Sequence, residues 1–101
     1  MAMKISWSPE AEATFSAILN YLEEEWSEKE IRNFVAKTNK VINRISRDPK
    51  LFIAFGEEEV RKAVITKQSS LFYSIDNQNE QIILLSFWDN RKNPGSLRLN
   101  K

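Results

Sequence analysis

Val60-Arg61-Lys62-Ala63-Val64-Ile65-Thr66-Lys67, Ser70-Leu71-Phe72-Tyr73-Ser74-Ile75-Asp76 and Gln81-Ile82-Ile83-Leu84-Leu85-Ser86-Phe87-Trp88 are three closely spaced runs rich in β-branched and aromatic residues. Such runs, bounded by polar residues, read as strands. Asn77-Gln78-Asn79-Glu80 is a polar segment of the length that joins a hairpin. The three runs therefore predict an antiparallel meander: Val60 to about Lys67, Ser70 to Asp76, and Gln81 to Trp88.

Working toward the N-terminus, Leu51 to Glu59 is irregular, with Gly56 and the acidic triplet Glu57-Glu58-Glu59. The triplet reads as exposed loop, since consecutive residues rarely converge on a metal. Before it, Ile31, Phe34, Val35, Thr38, Val41, Ile42 and Ile45 recur at helical spacing. Asp48-Pro49 ends that helix, because proline pushes the preceding residue out of the helical region. Its start is read as a capping box, Ser27-Glu28-Lys29-Glu30, flanked by Trp26 and Ile31 as a hydrophobic staple. A first helix precedes it closely. Ser8 is its expected cap and Pro9 its first residue, and Ala11, Phe15, Ile18, Leu19, Leu22 and Trp26 form its apolar stripe. Trp7 and Trp26 are both expected in the core. Met3-Lys4-Ile5-Ser6-Trp7 alternates as a half-buried strand does.

The order strand, helix, helix, three strands gives an α+β domain of two layers, a helical hairpin on one face of a mainly antiparallel sheet. One domain is expected across residues 1–101, with a tail from about 95. The hairpin can cover only one face, yet Ile82-Ile83-Leu84-Leu85 and Leu71-Phe72-Tyr73 carry apolar residues on both. The second face then needs cover, from a protein partner or from the tail or self-association.

The chain's 15 Lys and Arg nearly balance its 14 Asp and Glu, which would argue against a purely electrostatic nucleic-acid binder if the charges were mixed along the chain. The charges are instead segregated. Glu10 to Glu30 holds seven acids and one base, whereas Ile31 to Lys50 holds six bases and one acid. Lys37, Lys40, Arg44 and Arg47 make a stripe on the second helix, away from its apolar face. It reads either as a solvated face, or as a surface for phosphates or an acidic partner, or as the counterpart of the acidic first helix.

The sequence has no Cys and no His. Disulfides, thiol chemistry, zinc sites of the usual kind, Ser-His-Asp triads and Cys-His dyads are thereby excluded, and no metal or cofactor is expected. No apolar run approaches the length needed to span a membrane. The N-terminal residues lack the apolar segment of a signal peptide, so a cytoplasmic location is expected.

Several local strings occur in an order that resembles the RelE/ParE superfamily of type II toxin–antitoxin toxins. They are Trp7-Ser8-Pro9-Glu10-Ala11, Asn20-Tyr21-Leu22, Asp48-Pro49, Val60-Arg61-Lys62, Leu71-Phe72-Tyr73-Ser74-Ile75, Ile82 to Leu85, and Phe87-Trp88-Asp89-Asn90-Arg91-Lys92-Asn93-Pro94. The resemblance runs from Ile5 to Pro94. It implies a growth inhibitor silenced by a cognate antitoxin, which wraps the toxin with a helix or strand and can build an oligomer with it. RelE-like members cut messenger RNA on the ribosome, and ParE-like members inhibit DNA gyrase.

For RNA cleavage the resemblance points to Arg61, Lys62, Lys67 and Arg91. A lysine lowered in pKa by neighbouring cations would move the proton, and an arginine would hold the phosphate. Alternation along the strand is expected to put Arg61 and Lys67 on one face and Lys62 on the other. Tyr73 could stack on a base. Trp88, Arg91 and Lys92, at and beyond the last strand, join Tyr73 as candidate target-binding residues, since recognition residues gather in such loops. Three departures from the RelE pattern stand out: Ala63 at the next same-face position after Arg61, Ser70 where an arginine is expected, and no tyrosine after Arg91. The expected function is therefore ParE-like, with a RelE-like endonuclease or a non-toxic interaction module retaining the fold as alternatives.

Overall fold

The computed structural model describes residues 2–56 and 59–90. In chain order the elements are β1 (Lys4–Trp7), α1 (Pro9–Glu25), α2 (Glu28–Arg47), β2 (Ile53–Ala54), β3 (Val60–Thr66), β4 (Ser69–Asp76) and β5 (Gln81–Asp89). The strands form one sheet in the order β1-β5-β4-β3-β2. The meander β3-β4-β5 is antiparallel, as its sequence predicts, and β1 closes the far edge parallel to β5. β2 was not anticipated. Its two residues pair with Arg61 and Lys62, so the edge of β3 from Ala63 onward has no strand beside it among the described residues. Val64, 57% exposed, lies on that open edge.

α1 begins as its sequence indicates. The Ser8 hydroxyl accepts from the Ala11 amide at 3.0 Å, and Pro9 occupies the first turn. Ser8 does more than cap. Its hydroxyl donates to the Leu85 carbonyl at 3.1 Å, and its amide to that of Leu84 at 3.1 Å. Leu85 is the extra residue where the β4–β5 register slips, between Phe72↔Ser86 and Tyr73↔Leu84. A bulge leaves backbone groups without ladder partners, and Ser8 serves the carbonyls there.

The capping box expected at α2 does not form. Ser27 makes no side-chain cap bond, and its carbonyl accepts the Glu30 and Ile31 amides instead. Trp26 is the residue that ends α1, its amide donating to the Leu22 carbonyl at 2.8 Å. With only Ser27 between this cap and α2, the turn is too tight to fold the indole inward. Trp26 is 57% exposed and is not a core residue.

The main core lies between the hairpin and the sheet. Ala11, Phe34, Ile42 and Ile45 from the helices meet Ala63, Leu71, Tyr73, Ile82, Leu84 and Phe87 from the strands. Trp7 is half-buried against it, its ring 5.3 Å from Phe15 and 5.6 Å from Phe87. The opposite face has its own smaller cluster of Val60, Phe72 and Leu85. Cover there comes partly from within the chain, since Phe55 packs its ring 4.7 Å from that of Phe72. The Phe55 amide bonds to the Val60 carbonyl at 3.0 Å, and Gly56 turns the chain at φ +61, a conformation that favours glycine.

Candidate functional site

The meander ends where several sequence candidates were expected to gather. β3 is interrupted between Val64 and Thr66 by a register shift, and it stops one residue before Lys67. The alternation that was to place Lys67 on the same face as Arg61 is therefore broken, and Lys67 belongs to the β3–β4 turn. That turn is held from both sides. The Thr66 hydroxyl accepts the Gln68 and Ser69 amides at 3.2 and 3.1 Å. Asn90, just past β5, donates its amide to the Gln68 carbonyl at 2.8 Å and its Nδ2 to that of Lys67 at 3.3 Å. Its Oδ1 accepts from the buried Ser70 hydroxyl at 2.8 Å. Ser70 thus has a positioning task where the RelE pattern has an arginine.

Arg61 is engaged elsewhere. Its Nη1 donates to the Phe52 carbonyl at 2.7 Å and to that of Lys50 at 3.4 Å, while its buried Nε has no partner among the described residues. Tyr73 lies opposite it on β4, 0% exposed, with its hydroxyl donating to the Pro49 carbonyl at 2.6 Å. Burial pushes the phenol up to about 12, Arg61's charge opposes this, and Asp48's adds to it. A ring with no exposed surface has no face for a base to stack on. Lys62, half-buried, pairs with Phe72 and Ile53, on the sheet face away from the hairpin. Trp88 is half-buried against the Phe72 cluster on that same face. Arg91 and Lys92 lie outside the described residues, as do the expected loop and tail beyond them. Arg61, Lys62 and Lys67 therefore do not converge. Among the described residues no three acidic side chains gather as a metal site would need.

What the chain does assemble is a groove of about 630 Å³ between the hairpin and the β3–β4 turn. Ile18, Leu22, Phe34 and Phe87 supply apolar lining, Tyr21 and Trp26 line one side, and Lys37, Lys67, Glu30 and Asp89 bring charge. Tyr21 and Trp26 are 46% and 57% exposed. The groove can take an amphipathic segment, apolar side inward, with charges of both signs to fix its register. Sequence reasoning missed Tyr21 and Trp26 here, and it read Lys37 as part of the basic stripe of α2. Trp26 follows the spacing of the buried stripe, so its pattern alone assigned it to the core.

No family model and no curated protein matches this chain. Solved structures do. The ParDE toxin–antitoxin system of Pseudomonas aeruginosa aligns with 87% of this chain and 96% of its own, at TM-score 0.71 and 13% identity. The RelBE2 complex of Mycobacterium tuberculosis aligns over 89% and 100%, at TM-score 0.62 and 15% identity. The isolated RelE toxin of Escherichia coli aligns over 93% and 90%, at TM-score 0.60 and 9% identity. The fold is that of the RelE/ParE superfamily of toxins. Both RelE and ParE structures share it with this chain, so the fold does not separate their activities.

Proposed function

We propose that this chain is the toxin of a type II toxin–antitoxin pair, acting in the cytoplasm on DNA gyrase in the ParE manner, without cutting RNA. One observation supports the second half of the reading: those candidate residues for a RelE-like cut that the structure describes are dispersed. Arg61 is tied to the 50–52 turn, Lys62 is across the sheet, and Tyr73 is enclosed. General acid–base catalysis needs its groups within hydrogen-bond reach of one reacting phosphate, and this arrangement supplies no such set among the described residues. The partner is a cognate antitoxin, and the groove between hairpin and β3–β4 turn offers it an apolar seat. No helix among the described residues is long and apolar enough to cross a membrane.

Induced expression without antitoxin tests the reading, with growth, protein synthesis, message integrity and DNA supercoiling followed together. Arrest of replication with lost supercoiling activity, and intact messages, is the expected result. Rapid arrest of translation with cleaved messages would replace it with the endonuclease. Undisturbed growth would leave an interaction module.

A further inference from the structure

Apart from Lys37 at the rim of the groove, the basic stripe of α2 has no part in the proposed function. α2 turns Phe34, Thr38, Ile42 and Ile45 into the core. Lys37, Lys40, Arg44 and Arg47 are exposed on its other side, with Asn33, Asn39 and Asn43 exposed beside them. No acidic residue occurs between Ile31 and Arg47. The acids of α1 do not neutralise the row. Among the described residues the one ion pair joins Arg32 to Glu28, within α2's own first turns, at 3.7 Å.

We propose that this face of α2 docks on the backbone of double-stranded DNA, without reading its sequence. The chemistry of the face decides among polyanions. An acidic protein partner gains affinity from buried apolar and aromatic anchors, and past the acidic first turn, from Ile31 onward, α2 exposes only cations, amides and Ala36. Single-stranded nucleic acid is held by stacking on aromatic rings, and this arc carries none. Lys, Arg and Asn are the side chains that bond to phosphates. The row from Lys37 to Arg47 spans about 15 Å at the rise of an α-helix. B-form DNA presents a charge every ~1.7 Å of axis and a major groove wide enough for a helix, whereas the A-form groove is too deep and narrow. The proposal rests on α2 alone and stands apart from the gyrase reading.

The test is fluorescence anisotropy with the full chain and a labelled DNA duplex of arbitrary sequence, over a salt series. Four phosphate contacts predict a roughly hundredfold loss of affinity between about 50 and 200 mM salt. Lys40→Gln/Arg44→Gln/Arg47→Gln should flatten the log–log salt slope by about 0.9 for each cation removed. Lys4→Gln/Lys50→Gln, which removes charge elsewhere, should leave it unchanged. Circular dichroism confirms that both variants keep their helices. No binding at low salt, equal slopes for the triple variant and the parent, tighter binding to duplex RNA, or binding to polyglutamate alone would each overturn the proposal.

Discussion

Arg61 and Tyr73 face each other across β3 and β4, and both donate to carbonyls of the turn that leaves α2. Tyr73 holds Pro49 at 2.6 Å, and Arg61 holds Phe52 at 2.7 Å. The pair clamps residues 49–52 against the sheet, so the cation that sequence reading offers to catalysis has a structural task. Arg61→Ala removes the donor from the part-buried Phe52 carbonyl, while water can reach the exposed Lys50 one, and leaving a buried polar partner unsatisfied costs about 1–3 kcal/mol. Chemical denaturation should register that loss. On the proposed function, growth inhibition by the variant should fall only in step with its folded fraction. A variant of parental stability that had lost all toxicity would return Arg61 to the active residues.

Tyr73 gives the clamp a pH dependence. The interior favours the neutral phenol, and the folded-state pKa of about 12 lies above the ordinary value of 10.0. A raised pKa of this kind stabilises the fold fully below about pH 10, and the contribution disappears as pH climbs through about 12. Two units correspond to about 2–3 kcal/mol. Tyr73→Phe should be less stable at neutral pH, through the lost bond to Pro49, yet should lose less on going from pH 9 to 12. Parallel stability curves for the two proteins would show that Tyr73 does not titrate in this window.

The layer architecture was legible because periodicity carries it: α2 buries the helical-spaced Phe34, Thr38, Ile42 and Ile45 that its sequence marks. Less legible were features set by contacts between distant segments. Nothing local in Lys4–Trp7 says that its neighbour is β5, and nothing in Leu84-Leu85 announces a bulge served by Ser8. The candidate site is the least legible part. Its residues were chosen by chemical type, but a guanidinium can hold a turn as readily as a phosphate. Only the carbonyls around Arg61 distinguish the two.

Ser8 and Ser27 make a matched pair for testing. Each precedes a helix, and their sequences promise equal caps. Ser8 accepts from Ala11 and donates to Leu85, whereas Ser27 makes no side-chain cap bond. Ser8→Ala should cost about 2 kcal/mol, combining a lost cap with an unserved bulge carbonyl. Ser27→Ala should stay within about 0.5 kcal/mol, as surface changes usually do. Equal losses in urea unfolding would mean that Ser27 does cap α2 in solution.

Glu80 enters β5 with φ +51, a left-handed conformation that costs a side-chain-bearing residue about 1–2 kcal/mol. The turn before it is fixed by Asp76, whose carboxylate accepts from Asn79 at 2.8 Å and from Gln81 at 3.2 Å. Those bonds hold the Asp76 carboxyl below its usual range, so their contribution is present above about pH 4 and fades as acid protonates it. Glu80→Gly should raise stability by up to about 1 kcal/mol, relief of strain being partly offset by glycine's greater freedom when unfolded. A lower melting temperature would show that the Glu80 side chain contributes more than its backbone strain removes.

Trp26 is the side chain on which the groove's assignment turns. It caps α1 through its backbone alone, by the Leu22 bond, and exposes more than half of its surface beside Tyr21. Exposed aromatics at a groove are the residues that dominate binding energy when a partner covers them. Trp26→Ala keeps the backbone bond, so the melting temperature should hold. On the proposed function, affinity for the cognate antitoxin should fall by about 2 kcal/mol or more, roughly thirtyfold in Kd. Titration calorimetry with the purified pair separates the possibilities. Unchanged affinity at unchanged stability would place the antitoxin elsewhere, and the open edge of β3 beside Val64 would be the next surface to probe.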